Sequence, residues 1–292
     1  MMMPTAYIPG QRYPAVSITG TRCSLMCDYC RAHYLRGMHP VSSPHELYKL
    51  ARKLYEKGAK GLLISGGFNS RGELPIRPFL PTIREIKRDF NLIISVHSGI
   101  VSRETARSLG DAGIDVVDYE LLTDRVVIRD VMHLRRREDD FLKGLRWLME
   151  KGPPYVAPHI PIGFHYGRIT MEREALEEVS ALKPYILIFI VFRPTKGTPM
   201  ESIPPPPVED VVKLLQSARK EFSGEIALGC MRPPEYKSSL DEIVIERGLV
   251  DRIAVPRWQV VRKYGMREVR ACCSIPKDLM SLFDEGPEME VA

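Results

Sequence analysis

The chain has 292 residues, 44% of them hydrophobic, which is enough apolar material for one large α/β domain or two modest ones. Its 42 Lys and Arg against 37 Asp and Glu leave a formal charge of +5, and apart from "HLRRR" at 133–137 the bases are dispersed, which argues against a nucleic-acid surface. No run reaches the roughly 20 apolar residues that span a bilayer, and "MMMPTAYIPGQRYP" lacks the apolar core of a signal peptide, so a cytoplasmic protein with no membrane partner is expected.

From residue 14 onward, short β-branched runs alternate with amphipathic segments, the pattern of βα units that feed a parallel sheet. In chain order the expected strands cover 15–20, 61–67, 91–98, 115–122, 155–164, 185–192, 224–231 and 251–256. The first expected helix has readable ends. Ser43, Pro44 and Glu46 form a capping-box start, Leu47, Leu50, Ala51 and Leu54 an apolar stripe, and Gly58 a stop. Further helices are expected at about 78–89, 102–112, 138–151, 171–182, 207–222 and 238–247. "IPPPPVED" at 203–210 reads as a stiff lead into one of them. Eight strands with helices between them predict an α/β fold, a complete or near-complete TIM-type (β/α)8 barrel. It is expected to occupy residues 1–276 as one domain, with a frayed acidic tail at 277–292.

Six cysteines in a reducing compartment point to ligation or catalysis before disulfides. Cys23, Cys27 and Cys30 form C-x3-C-x2-C just after the first expected strand, hence on a loop at the C-terminal mouth, where such barrels carry their chemistry. Three thiolates there suit a metal centre, and a cube of iron and sulfide held by three cysteines leaves one iron open. A structural zinc is the blander reading and would need a fourth ligand, for which His33 is available. Cys230 ends the seventh strand in "LGCMRP", and Cys272 and Cys273 follow the eighth in "RACCSIP". These three can converge on a second iron–sulfur cluster, with Ser274 or Arg232 as a further ligand or nearby charge; otherwise they are small buried apolar side chains.

"CSLMCDYC", with Tyr29 directly before the third cysteine, resembles the signature of the radical S-adenosylmethionine (radical SAM) superfamily. The resemblance implies that Cys23, Cys27 and Cys30 hold a [4Fe-4S] cluster whose open iron takes S-adenosyl-L-methionine. One electron, from a donor such as ferredoxin, then cleaves it to methionine and a 5′-deoxyadenosyl radical. Other positions follow from the same resemblance. Ser65, Gly66 and Gly67 in "ISGGFN" match the segment that receives the methionine ammonium, although Phe68 stands where the family has an acidic residue. Asp118 and Glu120 alternate along one strand and so point the same way, matching a ribose-binding position, with Arg125 and Arg129 as the competing partners. Ile162 and Gly163 match an adenine-flanking segment. His97 and His159, on the third and fifth strands, either line the cavity or are satisfied core residues.

"FRPTKGTPM" at 192–200 resembles a segment of the biotin synthase, lipoyl synthase and hydrogenase-maturase branch, and places Arg193 and Lys196 to hold an acidic substrate or the cofactor carboxylate. The auxiliary cysteines of biotin synthase and the extra cysteine motif of bacterial lipoyl synthase are both missing. The late cysteines are similar instead to those of archaeal two-component lipoyl synthases. That implies a sulfurtransferase that inserts sulfur from an auxiliary cluster into a protein-bound octanoyl chain. A lipoyl-carrier protein or octanoyl-lysine peptide would be its substrate and a second lipoyl synthase subunit its partner. The alternative in the same branch is carbon rearrangement or metallocofactor maturation. From a different class, a non-catalytic iron–sulfur or zinc module would bind RNA or a partner protein.

Overall fold

Aliphatic and β-branched runs form strands wherever the sequence repeats them, and the computed structural model, which describes residues 3–283, contains all eight expected ones. In chain order the elements are β1 (Thr5–Tyr7), β2 (Ala15–Ser17), β3 (His39–Pro40), α1 (Pro44–Glu56), β4 (Gly61–Ser65), α2 (Leu80–Phe90), β5 (Ile93–His97) and α3 (Arg103–Asp111). There follow β6 (Val116–Glu120), α4 (Glu138–Lys151), β7 (Tyr155–Ile162), α5 (Glu172–Leu182), β8 (Ile186–Val191), α6 (Val208–Glu221) and β9 (Glu225–Leu228). The series ends with α7 (Tyr236–Glu246), β10 (Arg252–Ala254), α8 (Trp258–Tyr264) and β11 (Glu268–Val269).

All pairings between these strands are parallel, and the order across the sheet is β3-β2-β4-β5-β6-β7-β8-β9-β10-β1-β11. The eight expected strands are thus consecutive neighbours from β2 to β10. The three unexpected ones, β1, β3 and β11, are two or three residues long, too short to display a periodicity. β1 pairs with β10, and among the described residues β3 and β11 do not pair with each other, so the sheet curls into a near-complete but open barrel.

Helix α1 starts as its sequence demands: the Ser43 side chain accepts the Glu46 amide at 3.2 Å, with Pro44 in the first turn. The reciprocal half of the expected capping box is shifted by one residue, because the Glu46 carboxylate takes the amide and hydroxyl of Ser42. Gly58 follows the helix with φ +89°.

Register decides which side chains enter the barrel. His97 lies opposite Asp118, and Glu120 opposite His159, so these four share one face of the sheet. Tyr119 is on the other face, its hydroxyl donating to the Phe141 carbonyl of α4 at 2.9 Å, above the bare Cα of Gly144. The helices therefore cover Tyr119, and the four polar residues face the interior.

The end of the chain departs from the expected tail. Lys277–Phe283 forms a short 3-10 helix, Phe283 is buried against Tyr13 with ring centroids 5.6 Å apart, and the Tyr7 hydroxyl donates to the Met280 sulfur at 3.3 Å. Apolar Leu279, Met280, Leu282 and Phe283 interrupt the acidic composition, which explains why this stretch packs. Residues 284–292 of that expected tail lie outside the described residues. Just upstream, Ala271, Ser274 and Ile275 are fully buried, tied down by Arg252, which donates to the carbonyls of Cys273 and Ile275, and by the Tyr185 hydroxyl on the carbonyl of Ser274. No helix among the described residues is long and apolar enough to cross a membrane.

Candidate functional site

The loop after β2 is bent to turn its thiols together. Met26, Arg31 and Ala32 all have φ between 44° and 59°, a left-handed conformation that non-glycine residues adopt only where the surroundings enforce it. The enforcement comes from three other loops. Ser24 donates its amide to the Phe68 carbonyl at 2.8 Å, the Asp28 amide reaches the Val131 carbonyl at 2.9 Å, and the Asp28 carbonyl takes the Met200 amide at 3.2 Å. His133 Nε2 adds a 3.0 Å contact to the Asp28 carboxylate, and Tyr34 shares a 2.8 Å hydrogen bond with Thr195.

Cys27 and Cys30 hydrogen-bond each other, which pushes the Cys27 thiol up and draws the Cys30 thiol down, so the first thiolate of the pair forms at Cys30. Cys23 lies close enough to add to the Cys27 shift. The three sulfurs nevertheless do not all fall within 4.8 Å of one another. A tetrahedral zinc with Zn–S bonds of about 2.3 Å would need them closer, whereas a multi-iron cube accepts the wider spread. His33, the candidate fourth zinc ligand, is exposed and joins no group of converging ligands. The donor set therefore fits an iron–sulfur cluster with three protein ligands.

Around this loop the remaining site residues take up distinct stations. Gly67 is required by packing: an added Cβ would run into the Arg22 carbonyl and stand 2.5 Å from the Cα of Cys23. Its amide is spent on Thr19 Oγ1 at 2.7 Å. Ser65 is buried at the end of β4, its carbonyl accepting the Ile18 amide at 2.9 Å, and Gly66 fits between Leu74 and Thr19. Phe68 packs its ring toward Gly99, so no carboxylate is presented at that position. A cleft of about 520 Å³ runs beside Cys23, Gly67 and Phe68, on the flank of the loop.

Tyr29, half-buried within the loop, stands edge-on to Phe164 at 4.7 Å, and desolvation pushes its phenol well above the usual range. Glu120 interacts electrostatically with both Tyr29 and the Cys27–Cys30 pair, and burial raises its carboxyl. Asp118 sits deeper. Neither of the expected arginines meets these carboxylates: Arg125 is exposed and Arg129 pairs with Asp130 at 2.6 Å. Asp118 faces His97 instead, 3.7 Å from its Nε2.

Gly163 has φ +78°, donates its amide to Glu172 at 2.8 Å, and lies against the Pro206 ring, where a Cβ would come within 2.6 Å. Ile162 is fully buried and shares by alternation the helix-facing side of β7 with Ile160. Arg193 and Lys196 are both exposed, and Arg193 interacts with Tyr34, which also senses Cys30 and Cys230.

The late cysteines approach the same space. Cys230 is solvent-exposed, and the protein around it still raises its thiol by desolvation. Cys272 hydrogen-bonds Cys273, which lowers the Cys272 thiol and raises that of Cys273. Cys230 and Cys272 sense each other's charge, and Ser274 donates to the Cys272 sulfur at 3.3 Å. Arg232 is not a free ligand. It is fully buried and paired with Asp241 at 2.6 and 2.8 Å, and it donates to the carbonyls of Gly229 and Ala254. Residues that sequence reading missed include Asp28, His133, Tyr34 and Thr195, which hold the loop, and Tyr13, which rises toward Ser95. Asp28, His133 and Thr195 lie inside the stretches "CSLMCDYC", "HLRRR" and "FRPTKGTPM", but nothing in those stretches shows that they brace the loop.

Comparison with known proteins agrees with this geometry. The family model described as "Radical SAM superfamily" matches residues 17–179. Among curated relatives, a probable GTP 3′,8-cyclase of Methanopyrus kandleri is 30% identical over 49% of this chain and 46% of its own length. A biotin synthase of Desulforudis audaxviator is 24% identical over 68% and 61%. The chain thus spans about half to three fifths of the length of these two relatives. Among solved structures, methylornithine synthase superposes with a TM-score of 0.60 at 14% identity, covering 91% of this chain and 84% of that one. The hydrogenase maturase HydG superposes with a TM-score of 0.65 at 15% identity, covering 91% and 64%. Both are likenesses of fold.

Proposed function

The chain belongs to the radical SAM superfamily, and from that premise we propose that it is a sulfurtransferase of the biotin synthase-like branch, inserting sulfur into an octanoyl chain carried on a protein lysine. Membership implies a [4Fe-4S] cluster and S-adenosylmethionine, which when bound supply a 5′-deoxyadenosyl radical able to take hydrogen from an unactivated carbon. In this reading Cys23, Cys27 and Cys30 hold the cluster. Tyr29 and Phe164 close the floor under it against water, and the Ser65–Gly67 segment and Glu120 border the space left for the cofactor.

What supports the choice of sulfur chemistry is that Cys230, after β9, and Cys272, beyond β11, are near enough to influence each other electrostatically, with Cys272 also sensing Asp118 of the inward row. Such thiols can hold a second iron–sulfur cluster as the sulfur source. Tyr34 senses the charge of both Cys30 and Cys230. A lipoyl-carrier protein or octanoyl-lysine peptide is the proposed substrate, a ferredoxin-type protein the electron donor, and a second synthase subunit the partner.

The test is anaerobic reconstitution with iron and sulfide counting, beside assay of an octanoyl-lysine peptide by mass spectrometry. The Cys272→Ala/Cys273→Ala variant is expected to lose one cluster's iron and sulfide, to keep cleaving S-adenosylmethionine, and to form no thiolated product. Unchanged iron content in that variant would end the sulfur-donor reading, and a rearranged product without sulfur would move the chain to carbon-skeleton chemistry.

A further inference from the structure

Deep in the barrel, three strands bring two imidazoles and a carboxylate together. His97 ends β5, Asp118 lies in β6 and His159 in β7, all on the inward face. One ligand atom from each falls within 4.8 Å of the others, the only such group of three among the described residues. The Asp118 side chain is wholly buried, and neither of its oxygens has a hydrogen-bond partner. His97 Nε2, at 3.7 Å, stands beyond hydrogen-bonding distance. Tyr13 Oη and Ser95 Oγ, turned toward each other, are also buried without a well-formed hydrogen bond, and Tyr13 senses the Asp118 charge. A buried carboxylate left bare is strongly destabilising, and native interiors rarely gather orphaned polar atoms without something to satisfy them.

The histidines are prepared as ligands. His159 Nδ1 lies 3.0 Å from the Ala157 carbonyl, which assigns the proton to Nδ1 and leaves the Nε2 lone pair free, the orientation that metal-binding histidines take from their outer partners. The His97 ring stands edge-on at 5.8 Å. From this geometry we propose that His97, Asp118 and His159 bind a divalent first-row transition-metal ion, distinct from the iron of any cysteine-held cluster. Two imidazoles and one carboxylate suit such an ion and leave coordination positions open. The proposal uses no cysteine and does not rest on the sulfur-insertion reading.

Cobalt(II) is the probe. Protein purified and cluster-reconstituted under anaerobic conditions is dialysed against cobalt chloride, and cobalt per chain is counted together with the visible d–d bands. One cobalt per chain is expected, with no new cobalt–thiolate charge-transfer absorption in the difference spectrum against the same cluster-loaded protein without cobalt, both in wild type and in the Cys272→Ala/Cys273→Ala variant, which separates this site from the proposed auxiliary cluster. Asp118→Asn and His159→Ala are expected to weaken binding more than tenfold, roughly. His97→Gln, at a partly exposed position, should do the same and guards against misfolding of the buried variants. No cobalt bound, thiolate absorption on the bound ion, or retained binding in folded His97→Gln would each overturn the proposal.

Discussion

Gly67 shows how one missing side chain serves the site. The sequence suggested a glycine needed for close approach of a ligand, but what approaches is the cysteine loop itself, with the Arg22 carbonyl and Cys23 packed onto the bare Cα. Neither neighbour is the flexible end of a side chain, so the loop must move to admit a methyl group. Gly67→Ala is expected to cut iron incorporation at the Cys23, Cys27 and Cys30 site severalfold while leaving far-UV circular dichroism unchanged. Iron content after reconstitution measures it, and full iron loading would show that the loop yields without loss of its ligand geometry. The residue scale also holds what could not have been foreseen locally. Asp118 and Glu120 were legible as an inward pair from period-two alternation, whereas their neighbours depend on which strands lie alongside. Register supplies His97 and His159, and the arginines nearer in sequence point elsewhere.

At the scale of elements, the link between β9 and α7 governs where Cys230 stands. Arg232, two residues further on, is buried with Asp241 of α7, and its guanidinium is used on every side: two bonds to the carboxylate and one each to the carbonyls of Gly229 and Ala254. Burial pushes the Asp241 carboxyl up, and Arg232 opposes that shift. Removing one partner leaves an uncompensated buried charge, so Arg232→Met should cost about 3–5 kcal/mol, while the double variant Arg232→Met/Asp241→Leu should recover most of it. Urea denaturation of the three proteins gives the comparison, and equal losses in single and double variants would deny the pair its role. From sequence, an arginine beside a cysteine at a strand end reads as a functional charge. Its structural use is invisible there because Asp241 and Ala254 are brought to it only by the packing of α7 and β10.

Across the whole molecule, the cysteine loop is held by segments that follow three different strands: Phe68 after β4, Val131 and His133 after β6, and Thr195 and Met200 after β8. Loading the loop should therefore order these segments together. Hydrogen exchange is expected to slow in residues 22–31, 67–69, 131–133 and 195–200 on reconstitution and to stay unchanged around α7 and α8. Protection confined to residues 22–31 would show that the supports are rigid without the cluster. The same view explains the returning end of the chain. The sheet is open between its edges, Tyr13 and Tyr7 lie beside apolar side chains of residues 280–283, and this contact, made across almost the full length of the sequence, cannot be read from either segment alone.

The amino-acid sequence by itself determined the eight main strands, most of their helices and the three-cysteine cradle, because hydrophobic period, capping residues and ligand spacing are properties of neighbours along the chain. Only the tertiary structure decided that the sheet stays open, that residues 277–283 pack back on it, that Arg232 is a structural ion pair, and that Asp118 shares its pocket with two histidines. Those outcomes depend on strand register and on contacts between segments far apart in the chain, and burial sets their cost and their partners only once the barrel has formed.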